Sequence, residues 1–173
     1  PDYRYTLNFI DMWSVDELVI LDITRNVNFD SEEKEIFFQK MKEISKNAYI
    51  PVTAGGGIRQ LKDIEKLLKH GADKVVLNTA AIKDPKIINL VAKEFGSQCI
   101  VICIDVKSED NNFYLMEEYG QKKSSKNLIE YLSKVQEENA GEIFLQSVNQ
   151  DGSLLGYDIK LLEKIHPYIN LPL

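Results

Sequence analysis

Short, nearly continuous apolar runs alternate along the chain with longer amphipathic stretches. The runs cover residues 18–22, 51–54, 74–78, 100–105 and 142–146, and strands buried on both faces read in this way. Between them the period becomes helical, over 31–46, 61–70, 84–95, 126–139 and 158–165. Boundary signals support this, with Gly71 after one helix and Asp84-Pro85 opening another. A further helix is expected over 6–14, and a further strand is expected to start at Leu171-Pro172-Leu173. Strand–helix alternation repeated five times predicts a parallel α/β sheet.

Two architectures fit that alternation, an open doubly wound sheet and a closed (β/α)8 TIM barrel. The strand ends separate them. Asp22, Gly55-Gly56-Gly57, Asn78-Thr79, Asp105, and Ser147 with Asp151-Gly152 put polar or glycine residues after nearly every strand. A barrel builds its site from loops after many strands, whereas a doubly wound sheet concentrates its ligand at one switch point. The spread favours the barrel. A full barrel takes about 250 residues, and this chain has 173. The expectation is a single partial TIM-barrel domain over 1–173, with about five full βα units, lacking one unit before it and most of two after it.

Composition narrows the function. With 27 acidic and 21 basic residues the net charge is −6, which argues against nucleic acid or an anionic membrane as the main partner. No apolar run approaches the ~20 residues of a membrane span and no signal peptide is visible, so a cytoplasmic protein is expected. Cys99 and Cys103 lie on one face of one predicted strand. They read as small buried hydrophobes in a reducing compartment, without the spacing of a disulfide or a metal site. No metal and no cofactor are expected. His70 and His166 fall at helix ends and are assigned no chemistry.

Candidate chemistry gathers at the strand ends. Gly55-Gly56-Gly57 follows a strand and precedes a helix, and its bare backbone N–H groups could cradle an anion. A tight turn needing positive φ is the competing reading. Asn78-Thr79, expected on the neighbouring loop, adds neutral hydrogen-bonding groups and favours phosphate. Asp105 ends an apolar strand, where desolvation should raise its pKa and suit it to general acid–base work. It could instead cap the following loop. Asp22 is similar, with Thr24, Arg25 and Asn26 as structural partners. Ser147 through Gly152 form a polar loop in which Gly152 could offer an N–H to a second phosphate. Glu17, Lys74 and Glu142 each open a strand, at the opposite end. Inward-pointing layers could converge them into a charged ring, or they are solvated fringe charges.

These segments together resemble the cyclase subunit of imidazole glycerol phosphate synthase. The resemblance is carried by Val15 to Ile23, by Gly55-Gly56-Gly57-Ile58, by Gly71-Ala72-Asp73-Lys74-Val75 with Asn78-Thr79-Ala80-Ala81, by Phe95-Gly96-Ser97-Gln98 with Ile104-Asp105, and by Gly141-Glu142-Ile143 through Gly156-Tyr157-Asp158. It implies a (β/α)8 barrel that takes ammonia from a glutaminase subunit (HisH-like) at its amino-terminal face. The ammonia cleaves and cyclises a bis-phosphorylated ribulosyl aminoimidazole carboxamide. The products are imidazole glycerol phosphate and an aminoimidazole carboxamide ribotide. Asp105 then matches one of two catalytic aspartates, the other belonging to a first strand outside this chain. Gly57, Asn78 and Thr79 match one phosphate site, and Asp151 and Gly152 part of the second. Glu17, Lys74 and Glu142 match three members of a charged ammonia gate, whose arginine would again lie on the first strand.

Three stretches depart from the family pattern. Gln146-Ser147-Val148-Asn149-Gln150-Asp151-Gly152 stands where Thr-Ser-x-Asp-Arg-Asp-Gly is usual. Pro1-Asp2-Tyr3-Arg4 lacks the usual Gly-Asp-Pro, and Ser124-Ser125-Lys126 replaces Asn-Thr-Gly. A paralogue that amidates sugars for surface polysaccharides, or a non-catalytic barrel subunit, are the alternative functions.

Overall fold

The structure is a computed structural model and describes residues 14–24 and 29–173. It is an α/β fold that divides into two compact units, Pro1–Val76 and Leu77–Leu173. The predicted helix over 6–14 and the residues Arg25 and Asn26 lie outside the described residues, Ser14 excepted.

In the first unit, β1 (Leu18–Leu21), β2 (Val52–Gly55) and β3 (Lys74–Leu77) run parallel. Val19 lies opposite Thr53, and Thr53 opposite Lys74. β2 is buried throughout, as a central strand should be. β1 departs from the expected two-sided burial, since Val19 and Leu21 stay exposed. Among the described residues it is the edge of this array, paired with β2 on one side only. Helix α1 (Glu32–Asn47) starts where the Ser31 hydroxyl accepts from the Lys34 amide, and it carries Glu32, Glu33 and Glu35 in its first turn, where the helix dipole favours negative charge. Its inner stripe is Phe38, Met41 and Ile44, joined by Lys34. Helix α2 (Leu61–Lys69) opens with a capping box between Gln60 and Asp63.

The second unit begins with α3 (Thr79–Lys83) and α4 (Lys86–Phe95). The stretch read as one helix over 84–95 therefore follows a separate short one. The break falls at Asp84-Pro85, because proline disfavours helical backbone in the residue before it. Strand β4 (Ile100–Glu109) runs further than the apolar run suggested. On one edge it pairs in parallel with β7 (Glu142–Ser147), from Val101 opposite Glu142 to Val106 opposite Ser147. Beyond that, residues 106–109 pair antiparallel with β5 (Asn112–Glu117), which pairs in turn with β6 (Lys122–Lys123). Asp110 and Asn111 close the first hairpin at φ 50° and 62°, the two-residue turn whose twist matches the strands.

Helix α5 (Leu128–Glu137) is capped by Asn127, which accepts from the amides of Ile129 and Glu130. Helix α6 (Ile159–Ile165) is capped by Asp158. Ile100, Ile102, Ile104, Leu132, Val135 and Ile143 form the core of this unit. Residues 171–173 form no strand, although the Ile143 amide donates to the Pro172 carbonyl at 2.9 Å. Among the described residues no helix is long and apolar enough to cross a membrane.

Candidate functional site

At the amino end of the first unit's sheet, Glu17 meets Lys74. Glu17 Oε2 lies 3.0 Å from the Lys74 ammonium, and its Oε1 accepts from the Thr53 hydroxyl at 2.6 Å. Register explains the meeting, because Thr53 and Lys74 are directly paired and Glu17 precedes β1. Burial pushes the Glu17 carboxyl up, but the Thr53 hydroxyl and the Lys74 ammonium outweigh it and leave its pKa below the ordinary value. Thr53, wholly buried, was not singled out in the sequence. Glu142, the third expected member of this set, opens β7 in the second unit.

At the carboxyl end of the same sheet Asp22 follows β1. Its Oδ2 lies 2.6 Å from Lys34 Nζ, and its Oδ1 accepts from the Thr24 amide at 2.9 Å. Lys34 also donates to the Gly56 carbonyl at 3.1 Å, and its ammonium lies 5.3 Å from the centre of the Phe29 ring. Burial raises the Asp22 carboxyl, yet the bonds from Lys34 and Thr24 prevail and its pKa is lowered. The glycine turn is built against this pair. A Cβ on Gly56 would stand 2.1 Å from the Asp22 carbonyl oxygen, and one on Gly57 would stand 3.2 Å from Lys34 Nζ. Both residues have positive φ, 109° and 71°. The turn therefore needs glycine for its own closure, whatever it binds. Lys34 escaped sequence reading, although its signal was present: it shares one helical stripe with Phe38 and Met41.

Asp105 is the centre of the second unit's polar groups. Instead of ending β4 it sits four residues before the end, where the parallel pairing with β7 gives way to the hairpin. It is 7% exposed. Asn78 donates its amide to Oδ2 at 3.1 Å, and the Cys103 thiol donates to Oδ1 at 3.4 Å. Burial raises the pKa of Asp105, with the charge of Asp151 adding to it, against the two hydrogen bonds. No basic side chain pairs with it among the described residues. Thr79 turns its hydroxyl onto the Asn78 side-chain oxygen at 3.3 Å. Asn78 and Asp105 are thus brought together, as a loop group and a strand group on one polar face.

At the end of β7, Ser147 donates to Asp158 at 2.8 Å and so ties the strand end to the cap of α6. Asp151 accepts from Gln146 at 3.0 Å. Gly152 has φ 70° and open space where a Cβ would stand. Asn149 both accepts from the Ser108 amide at 2.7 Å and donates to the Ser108 carbonyl at 3.2 Å. An ionised aspartate in that place could only accept, so the pair of bonds depends on asparagine. A groove of about 560 Å³ between the hairpin and the start of α5 is lined by Phe113, Tyr114, Ser125 and Asn127. It includes none of the candidate residues. Among the described residues no three His, Cys, Asp or Glu side chains come together as a metal site would need.

The sequence model of a family described as "Histidine biosynthesis protein" matches residues 5–173. Among curated proteins, "Imidazole glycerol phosphate synthase subunit HisF" from an Exiguobacterium species is 41% identical over 165 residues, covering 95% of this chain and 63% of that protein. The proteins of that name from Dictyoglomus thermophilum and Sulfolobus acidocaldarius are 43% and 40% identical, each covering 91% of this chain and 62% of their own length. The chain therefore spans a little over three fifths of these relatives.

Proposed function

Because the chain belongs to the family of histidine biosynthesis proteins, matched over nearly its whole length, we propose that it is part of the cyclase subunit of imidazole glycerol phosphate synthase. In this reading ammonia from a glutaminase partner attacks a bis-phosphorylated ribulosyl aminoimidazole carboxamide. Cleavage and ring closure give imidazole glycerol phosphate and an aminoimidazole carboxamide ribotide. The observation that carries the proposal is Asp105, a buried carboxyl with a raised pKa, held by neutral donors and without a cation among the described residues. A carboxylate with a raised pKa is a stronger base than a solvated one and so is better suited to exchange protons with a bound substrate.

The remaining roles rest on the resemblance. Gly56, Gly57, Asn78, Thr79, Ser147, Asp151 and Gly152 would bind substrate phosphates, and Asp22 would contribute to substrate binding. Backbone N–H groups of the glycine turn and the neutral Asn78 and Thr79 side chains suit an anion. Glu17, Lys74 and Glu142 would belong to the ammonia entrance, and the (β/α)8 barrel and the contact face for the glutaminase belong to the same reading. With Exiguobacterium, Dictyoglomus and Sulfolobus relatives that are all imidazole glycerol phosphate synthase subunits by name, the chain fits the histidine pathway better than sugar amidation. Complementation of a histidine auxotroph by the full-length gene is the test. Growth is expected, and its absence despite good expression would reject the histidine-pathway substrate.

A further inference from the structure

Asp105 and Cys103 project from the same face of β4, two residues apart, and both are almost completely buried, at 7% and 4% exposed. The thiol is free and points to the carboxylate, with Sγ 3.4 Å from Oδ1. Asn78 holds the other oxygen from the start of α3. The two donors therefore bracket one carboxylate from two elements, leaving it little rotational freedom. We propose that Cys103 is a positioning residue for the reaction, its thiol and the Asn78 amide together fixing the orientation and protonation of the Asp105 carboxylate. The proposal rests on the acid–base reading of Asp105.

A thiol suits this task because of where it sits. Burial, reinforced by the neighbouring Asp105 charge, pushes the Cys103 thiol far up, so it keeps its proton and remains a donor at any working pH. It makes no thiolate and is no nucleophile. Other titratable groups also face the pair. Asp151, from the loop after β7, adds negative charge and favours protonated Asp105. The Tyr131 phenol on α5 lies near Cys103 and Glu117 and is itself pushed up, chiefly by burial. It is neutral near pH 7 and has no hydrogen-bond partner among the described residues. Cys103 and Asn78 are thus the donors that hold the proton affinity of Asp105 down against burial and Asp151.

The test uses the full-length protein with Cys103→Ala and Cys103→Ser. One readout is the Asp105 carboxyl titration, followed by ¹³C NMR with Asp105→Asn for assignment. The other is the pH profile of turnover driven by added ammonium salt. Cys103→Ala should move both the titration and the limb of the profile governed by Asp105 to higher pH, because a donor to the carboxylate is lost. Its kcat near neutrality should fall, by up to the roughly 10²-fold that a 1 Å misplacement can cost, while KM changes far less. Cys103→Ser restores a donor and should bring both curves back. A Cys103→Ala titration that stays in place would overturn the proposal, as would one that moves while the turnover profile does not. Full turnover by Asp105→Asn would remove the acid–base reading and this proposal with it. That failure is separable, because the carboxyl titration reports the Cys103 contact without catalysis.

Discussion

Asp22 and Asp105 occupy equivalent places in two βα units, each where parallel pairing stops, yet they have opposite surroundings. Asp22 meets a buried ammonium at 2.6 Å and its pKa falls. Asp105 meets an amide and a thiol, and its pKa rises. Both are shielded from water, so burial alone does not separate them. The difference lies in the charge of the partner. A full positive charge fixes a carboxylate as a structural anion, whereas neutral donors orient it and leave it free to take a proton. Of two aspartates that look alike in the sequence, only the second has the raised pKa that the proposed acid–base role calls for.

The comparison breaks most severely at Lys34. Removing one partner of a buried pair leaves the other charge uncompensated, which costs about 3–5 kcal/mol. Lys34→Met should destabilise the protein by that amount, measured by denaturant unfolding, and adding Asp22→Asn should recover much of it. The lowered pKa of Asp22 sets the pH dependence. Near and below the ordinary value of about 3.9 the unfolded chain binds the proton more readily. The stabilisation from this pair is thus complete above that pH and is lost as pH falls through the folded-state pKa. Lys34→Met should lose this acid-side slope.

Next in size is Asp105→Asn. Turnover should drop by at least ~10²-fold, the usual scale of lost general acid–base help, with little change in substrate affinity because the amide keeps the shape. Stability should move the other way. A raised pKa means that the folded state binds the proton more tightly than the unfolded chain, so this residue's contribution falls as pH rises from about 3.9 through the folded-state value. At neutral pH the Asn variant should therefore be the more stable protein in thermal unfolding, while Asp22→Asn should be the less stable. Equal effects of the two substitutions would erase the distinction.

The sequence made the frame of this comparison legible and hid its cause. Apolar runs, helical periodicity and boundary signals such as Gly71 and Asp84-Pro85 marked the parallel strands and most helices, because those signals are local. Asp105 was legible as a polar residue closing an apolar run. What decides its chemistry was not, since Cys103 read as a packing residue and Asn78 as a phosphate ligand. Only the pleat of β4 and the start of α3 bring them to one carboxylate. Lys34 lies twelve residues after Asp22, on a stripe of Phe38 and Met41 that reads as apolar. The hairpin after Asp105 escaped for a different reason. Its signal, Asp110-Asn111 between alternating residues, is short and was masked by the stronger run before it.

A smaller effect is expected at the other end of β1, where Glu17 and Lys74 repeat the Asp22–Lys34 arrangement with more exposure. Their side chains are 30% and 24% accessible, so water screens the pair and its worth should be within about 1 kcal/mol. If Lys74 serves ammonia entry, Lys74→Ala should impair glutamine-dependent turnover in the presence of the glutaminase. Turnover driven by ammonium salt at alkaline pH should be largely spared. Equal loss of both would place Lys74 in folding or in the chemistry instead, and loss of neither would make it a fringe charge.

An effect on stability alone, with none on activity, is expected in the chain just beyond Asp105. Strand β4 continues past this aspartate into the hairpin, and the turn depends on Asp110 and Asn111 at positive φ. Asparagine tolerates that region better than alanine, whose Cβ costs about 1 kcal/mol there. Asn111→Ala should therefore destabilise the protein by about that much in denaturant unfolding, and Asn111→Gly should not. Neither should move the Asp105 carboxyl titration, because Cys103 and the parallel pairing with β7 hold the aspartate from the other direction. If Asn111→Ala did shift that titration, the setting of Asp105 would depend on the hairpin as well as on its two donors, and the contrast with Asp22 would rest on chain stiffness as much as on charge.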